Sequence, residues 1–406
     1  MDDPCSSPEL ITLEQALDYI LSACPSNLFY ERLAIRNTRQ RLTFEPVYAA
    51  INVPSFRNSA MDGYALQHSD QQQTSLKLVG CSWAGRPYKG AIAKGECVRI
   101  FTGAYVPDDC DCVVMQENVT PNSDSITINS WPTPFENVRD IGSDIQQGNI
   151  IVDKGQLIKP ADIGLLASCG VADIAVYKKL TVGFFSTGDE LISIGQQPLL
   201  GEIFDSNRYT LHALLEEAGV TALDLGVIPD NFSAVEEALL SASQLCDVII
   251  TTGGVSVGDA DFITDVLKKI GRVELWKIAI KPGKPLAFGH IKGSTFFGLP
   301  GNPVSVMVTF QQVVLPALQK MMGQQQLSNT LTLPAITTDT INKQPGRMEF
   351  QRGIVKNTQQ GLSVTPISHQ GSHLLSSMSK ANCFILLDQQ SGPIEKGQTV
   401  NIQPFN

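Results

Sequence analysis

Lys281 and Lys284 stand three residues apart in Lys281-Pro-Gly-Lys284-Pro-Leu-Ala-Phe, between Pro282 and Pro285. Proline restricts φ, so such a loop gives up little entropy when it orders. Lysine is a compact cation with three donors, suited to a phosphate or another oxyanion. A second loop follows, Gly298-Leu-Pro300-Gly301-Asn-Pro303-Val-Ser305. It ends in an N-cap residue, Asn302, and a proline at the first helical position. The apolar run from Val304 to Leu318 then predicts a helix whose free N–H groups favour negative charge. A strand-like segment, Ser294–Gly298, joins the two loops. Either loop alone reads equally well as a Pro/Gly turn; together they predict an anion site.

Three more polar or Gly-rich loops fit the same chemistry: Ser186-Thr187-Gly188-Asp189-Glu190, the region of Asp230, and Gly253-Gly254-Val-Ser256-Val-Gly258-Asp-Ala-Asp261. Glycine-rich turns entering helices offer N–H groups to phosphates. Carboxylates beside a phosphate site imply a cation between the like charges, and Mg²⁺ is the usual partner of phosphate oxygens. Taken singly, an acid such as Asp259 reads better as a cap or a solvated surface group.

The elements that must carry these loops alternate from residue 180 onward. Leu180–Ser186, Ala222–Ile228, Asp247–Thr252, Val273–Ile280 and Thr295–Gly298 read as strands. Arg208–Ala218, Ser233–Leu245 and Asp261–Ile270 read as helices, with Ser206 and Asn207 as cap candidates for the first. Asp247–Thr252 is apolar without alternation, as a buried parallel strand should be. The pattern predicts a parallel, doubly wound sheet of about 150 residues, whose ligands bind beyond the carboxyl ends of the strands. All five loops fall on that edge.

On either side the pattern differs. Residues 10–24 carry Leu10, Leu13, Leu17, Ile20 and Leu21 at helical spacing. From 29 to 175 short β-like runs (Lys77–Val79, Cys97–Phe101, Cys112–Met115, Ser125–Ile128) sit among Gly, Pro, Asp and Asn, with a helix over Ala161–Cys169. After about residue 328, Gly353–Val355, Leu362–Val364, Cys383–Leu387 and Val400–Ile402 predict a small all-β domain.

A chain of 406 residues accommodates two to four domains. A net charge of −10 argues against a nucleic-acid surface, so the anion site must be a local basic pocket in an acidic protein. The nine cysteines form no Cys-x-x-Cys pair, and Cys110 and Cys112 have no second pair or His cluster to complete a zinc site. An odd, scattered set suits a reducing compartment. The start of the chain lacks a signal-like apolar core, and no run reaches the ~18 residues of a membrane span. The expectation is a cytoplasmic protein with no membrane contact.

Ser59-Ala60-Met61-Asp62-Gly63-Tyr64-Ala65, Thr102-Gly103-Ala104 and Gly142-Ser143-Asp144 are small polar clusters that composition reads as surface turns. The first two, with Ser186–Leu191, Asp205-Ser206-Asn207, Gly253–Asp261, Lys281–Pro285 and Gly298–Ser305, resemble the signature blocks of the molybdopterin molybdenumtransferase (MoeA) family, which includes the gephyrin E domain. The likeness runs in order from about residue 10 to 405 and takes in Pro345–Arg352 and His369–Ser377. Two positions depart from the family pattern: Arg139-Asp-Ile-Gly-Ser143 carries less charge, and Asp259 replaces a glutamate.

The resemblance implies an elongated homodimer that inserts molybdenum from molybdate into adenylylated molybdopterin with Mg²⁺, releasing AMP. It implies the division 1–28 (a helix packing on the α/β domain), 29–48 plus 147–178 (connecting), 49–146 (β-rich), 179–328 (α/β/α, molybdopterin-binding) and 329–406 (small β-barrel). By motif match, Asp62, Asp144, Asp230, Asp261, Lys277 and Lys281 would be catalytic. Thr102, Ser186, Thr187, Gly188, Glu190, Gly253, Gly254, Ser256, Gly258, Pro300 and Pro303 would bind the pterin nucleotide. Lys281, Lys284, Pro285, Ser305, Arg352 and Ser376 would surround molybdate. Asp230, Asp261 and Glu190 would hold the metal. It further implies an active site shared between two chains and contact with a molybdopterin adenylyltransferase. An adenylyltransferase-like enzyme and a non-catalytic scaffold are the alternatives. The flanking β domains count against the first, and the unexplained acids against the second.

Overall fold

The computed structural model describes residues 10–26, 29–254, 262–324 and 331–405. The chain forms two compact units, Met1–Glu31 with Tyr177–Asn406, and Arg32–Val176.

The larger unit is built on a six-stranded sheet. Its strands are β1 (Thr181–Thr187), β2 (Thr221–Ile228), β3 (Val248–Thr252), β4 (Gly271–Lys277), β5 (Pro285–Ile291) and β6 (Ser294–Leu299), in the order β2-β1-β3-β6-β5-β4. The first four in that order are parallel. β5 pairs antiparallel with both β6 and β4, so β4 again points the same way as β6. The five strands expected from the alternation therefore share one carboxyl edge. The sixth, β5, was hidden in the segment after Lys284, where Pro285 and Gly289 break the apolar run.

Alternating residues feed two cores. Phe184, Ile250 and Phe297 face α1 (Leu13–Ala23), α2 (Ser206–Glu217) and the helical run from Pro303 to Met321. Phe185, Ile249 and Phe296 face α3 (Phe232–Leu245) and α4 (Phe262–Ile270). Helices on both faces of a mostly parallel sheet make this the doubly wound α/β/α arrangement. The run after Pro303 is not one regular helix, because residues Phe310–Val314 form a π turn. The cap of α2 is Asp205, one residue before the expected Ser206, and its side chain accepts the Arg208 N–H.

The end of the chain closes a small barrel from β7 (Leu333–Thr337), β8 (Met348–Thr358), β9 (Gly361–Pro366), β10 (Cys383–Leu387) and β11 (Thr399–Pro404). β8 pairs with both β9 and β10, which leaves no free edge in the ring. A short strand, Ile280–Lys281, adds parallel to β8 with Lys281 opposite Glu349.

The smaller unit holds its own six-stranded sheet, ordered Cys112–Met115, Gly63–Leu66, Glu96–Ile100, Ser75–Ser82, Ser125–Ile128 and Val119–Pro121. Gly63–Leu66 is an inner, fully buried strand rather than a surface turn. Gly63 permits it: a Cβ there would lie 1.9 Å from Val114 O. Cys97, Cys110 and Cys112 are buried in this unit, and burial pushes their thiols up, to about 12 for Cys97 and Cys110 and well above the usual thiol range for Cys112. Among the described residues no helix is long and apolar enough to cross a membrane.

Candidate functional site

The carboxyl edge of the large sheet has a basic end and an acidic end. At the basic end, the β4–β5 connection, the β6–helix loop and the barrel enclose a cavity of about 550 Å³. It brings together Gly253, Gly254, Lys281, Lys284, Pro285, Pro300 and Ser305 from the expected set. Arg347, Gln370 and Ser372 also line it, all from the barrel. Their segments were recognisable as motifs, but nothing in the sequence shows that a barrel strand lies beside Lys281.

Charges here are partly balanced on the spot. Lys281 Nζ donates to Glu349 Oε1 at 3.3 Å, and Glu349 is 4% exposed. Gln351 Nε2 holds the other carboxylate oxygen at 2.9 Å. Lys343 is buried nearby; desolvation, opposed by Glu349, holds its ammonium below the usual lysine range. Lys284 has no carboxylate partner among the described ion pairs, which leaves its charge for a guest.

Arg352 works from beneath. It is 1% exposed, and burial lowers its pKa to about 10. Its Nη2 donates to His369 O and Gly371 O, and its Nε to Ser377 Oγ at 3.0 Å. It thus anchors the 369–372 loop, and it is not among the residues lining the cavity. Ser376 is exposed, whereas its neighbour Ser377 makes the Arg352 bond. Lys277 is also exposed, at the end of β4, and does not line the cavity. Pro303 is the first residue of its helix, as its type requires.

The acidic end lies at the tips of β1 and β2. Asp230 N–H points to Asp189 Oδ1 at 3.4 Å. Desolvation, followed by the charges of Asp189 and Glu190, raises the Asp230 pKa. Asp230 Oδ1 is buried with no hydrogen-bond partner, as is Thr187 Oγ1. Ser186 Oγ shares a hydrogen bond with Thr252 Oγ1 at 2.8 Å. Gly188 and Gly253 both have positive φ, and a Cβ on Gly253 would lie 2.7 Å from Thr187 O. Asn207, in the first turn of α2, ties that helix to the β6–helix loop: its Nδ2 donates to Gly301 O at 2.7 Å, while its Oδ1 is buried and unpaired. The sequence pattern made it a cap; the structure makes it a cross-link. Ser256, Gly258, Asp259 and Asp261 lie outside the described residues.

An orphaned carboxylate oxygen with two further acids beside it fits a divalent cation. Among the described residues no three His, Cys, Asp or Glu side chains form a closed metal cluster. Carboxylates this few would fit an ion such as Mg²⁺, which binds one or two carboxylates and completes its shell with phosphate oxygens and water.

In the smaller unit, Asp62 Oδ1 accepts Thr102 N–H at 2.7 Å and Thr102 Oγ1 at 2.8 Å. The Thr102 backbone bond, first, holds the Asp62 carboxyl below the usual range. Asp144 is exposed, and its N–H donates to Val53 O, close in sequence to the Asp62 turn.

Three family models match the chain: the MoeA N-terminal region (domain I and II) at residues 11–170, a probable molybdopterin binding domain at 183–320, and the MoeA C-terminal region (domain IV) at 334–405. The molybdopterin molybdenumtransferase of Haemophilus influenzae is 45% identical over 400 residues, covering 98% of this chain and 99% of that protein. Gephyrin of Dictyostelium discoideum is 33% identical over 456 residues, covering 99% of this chain and 63% of gephyrin. The crystal structure of the molybdopterin biosynthesis moeA protein from Pyrococcus horikoshii OT3 matches with a TM-score of 0.86 at 28% identity, covering 98% of this chain and all of that one. With its cavity, acid set and three-part match, the chain belongs to the molybdopterin molybdenumtransferase (MoeA) family.

Proposed function

We propose that the protein inserts molybdenum from molybdate into adenylylated molybdopterin and releases AMP. The observation that carries this is the pairing, on one sheet edge, of a cationic cavity with an unsatisfied acidic site. Molybdate is a tetrahedral dianion. Lys281, Lys284 and Arg347 supply its charge complement, and Ser305 and Ser372 supply hydroxyls. Asp230, with Glu190 and Asp261, would hold Mg²⁺, which when bound neutralises the phosphoanhydride. Water attacks that linkage: one phosphate stays on the pterin and the other departs with adenosine as AMP. The sequence offers no Ser/His/Asp or Cys nucleophile with matching partners, so the reading assigns the chain positioning and electrostatics.

By resemblance, the working enzyme is a cytoplasmic homodimer that receives its substrate from a molybdopterin adenylyltransferase. Asp62, Thr102 and Asp144 complete the partner's site. In co-expressed Asp62→Asn and Asp261→Asn chains about half the dimers are mixed, each with one intact site, so roughly a quarter of wild-type activity returns. Mixed dimers as inactive as their parents would place the site within one chain.

The activity itself is tested by supplying adenylylated molybdopterin, Mg²⁺ and molybdate and measuring AMP and the metallated pterin. Both should form, and AMP release should depend on molybdate. Formation of adenylylated molybdopterin from ATP, with no molybdate dependence, would instead make the chain an adenylyltransferase.

A further inference from the structure

The smaller unit carries a cavity lined by none of the residues assigned above to the reaction. Its volume is about 710 Å³, and Phe56, Trp83, Tyr88, Tyr105, Asp108 and Asp109 line it. Trp83 is 52% exposed and Phe56 41%. Large flat rings left open around one hollow mark a ligand surface rather than a core.

These rings are held in place. Trp83 stacks on Phe101 with centroids 4.1 Å apart and planes 14° from parallel. The Arg99 guanidinium lies 4.9 Å from the ring centres of both Phe101 and Tyr64. The four groups form a column whose last member, Trp83, borders the cavity. Tyr88 is seated by two glycines: a Cβ on Gly80 would lie 2.3 Å from its ring, and one on Gly90 2.4 Å from its hydroxyl. Ser82 Oγ donates to Tyr105 O at 2.8 Å and accepts Tyr88 N–H at 3.4 Å, tying the two tyrosines together.

The acids are oriented as well. Asp109 Oδ2 accepts Ile92 N–H at 3.1 Å. Asp108 accepts the Tyr105 hydroxyl, which pushes the Tyr105 pKa up. A carboxylate fixed by one bond keeps lone pairs for a guest. Flat faces beside fixed acceptors suit a planar heterocycle with two adjacent N–H donors. That is the 2-amino-4-oxopyrimidine edge, which presents parallel donors as a guanidinium does.

We propose that this cavity binds the ring system of a pterin, stacked on Trp83 with its amino-oxo edge on Asp108 or Asp109. The assignment rests on the reading above that the substrate is a pterin. Lys89, also in the lining, supplies a donor for the ring carbonyl.

The test uses the full chain and four probes: pterin, guanosine with the same edge, adenosine without it, and arginine amide as a cation. Binding is followed by calorimetry and by quenching of pterin fluorescence. Pterin and guanosine should bind, and adenosine at least about tenfold more weakly. Trp83→Ala should weaken pterin about tenfold or more, the scale of a lost stacking face. Lys284→Ala should leave pterin binding unchanged. Asp108→Asn and Asp109→Asn preserve volume and carry the test if Trp83→Ala does not fold; at least one must weaken pterin. Absent pterin binding, equal adenosine binding, tighter arginine amide, or indifference to all three substitutions would overturn the proposal. Pterin bound through Lys284 and not Trp83 would overturn it while sparing the proposed function. Trp83-dependent pterin binding without molybdate-dependent AMP release would do the reverse.

Discussion

The two ends of the sheet edge treat charge in opposite ways. At the basic end Lys281 already has an internal counter-anion in Glu349, and Lys343 lies buried behind the pair. At the acidic end Asp230 has only Asp189 and Glu190 for company, and no described cation is within ion-pair distance. A site with a resident counter-ion can exchange it for an arriving oxyanion at modest cost. Bare acids in a half-buried place are held at a cost until a cation arrives. The fold therefore separates a cationic cavity from a cluster of unpaired acids along one edge, and Asn207 holds the β6–helix loop through Gly301.

The largest effect should come from the basic end. Lys284→Ala should raise the molybdate concentration needed for half-maximal cofactor formation about thirtyfold, the scale of a lost charged hydrogen bond. A thermal melt should remain close to wild type. An unchanged molybdate dependence would remove Lys284 from the oxyanion seat.

Asp230→Asn should slow AMP release about tenfold, with partial rescue by added Mg²⁺, since one ligand of several is weakened. Wild-type release would reject a metal role for Asp230.

Arg352→Met should act through stability rather than charge. It strips His369 O and Gly371 O of their donor, which should cost about 1–3 kcal/mol in denaturant unfolding. It should also weaken molybdate use less than Lys284→Ala does. The opposite order would show that Arg352 reaches the oxyanion itself.

The smallest effect is a pH signature. A raised folded pKa means the folded state holds the Asp230 proton more tightly than the unfolded chain does. Its stabilising contribution is therefore full below the ordinary carboxyl pKa and is lost as pH rises through the folded value. Asp230→Asn should melt slightly above wild type at neutral pH, and the gap should close in acid. Mg²⁺ should raise the wild-type midpoint more than the variant's. A gap that widens in acid would contradict the environment described for Asp230.

Much of this was legible in the sequence because Pro and Gly punctuate it strongly. The Lys281–Pro285 and Gly298–Ser305 loops and the five co-directional strands follow from local pattern alone. What stayed hidden depends on long-range pairing. β5 escaped because Pro285 and Gly289 mimic loop chemistry inside a buried strand. Gly63–Leu66 escaped because its polar flanks outweigh four residues. Arg347 reaches the cavity, and Glu349 reaches Lys281, only because β8 lies beside Ile280–Lys281, 68 residues away for the Lys281–Glu349 pair. Arg352, placed at molybdate by motif match, shows a further limit: its burial and its bonds to His369 O and Gly371 O are invisible in the sequence.

The most direct measurement is a crystal soaked in tungstate, a heavy tetrahedral dianion, with tungsten located by its anomalous scattering. A peak in the cavity bounded by Lys281, Lys284 and Arg347, lost in Lys284→Ala crystals, is the predicted result. A peak elsewhere on the chain, or one in the cavity that survives loss of Lys284, would contradict the division of the sheet edge into an oxyanion seat and a metal–phosphate seat.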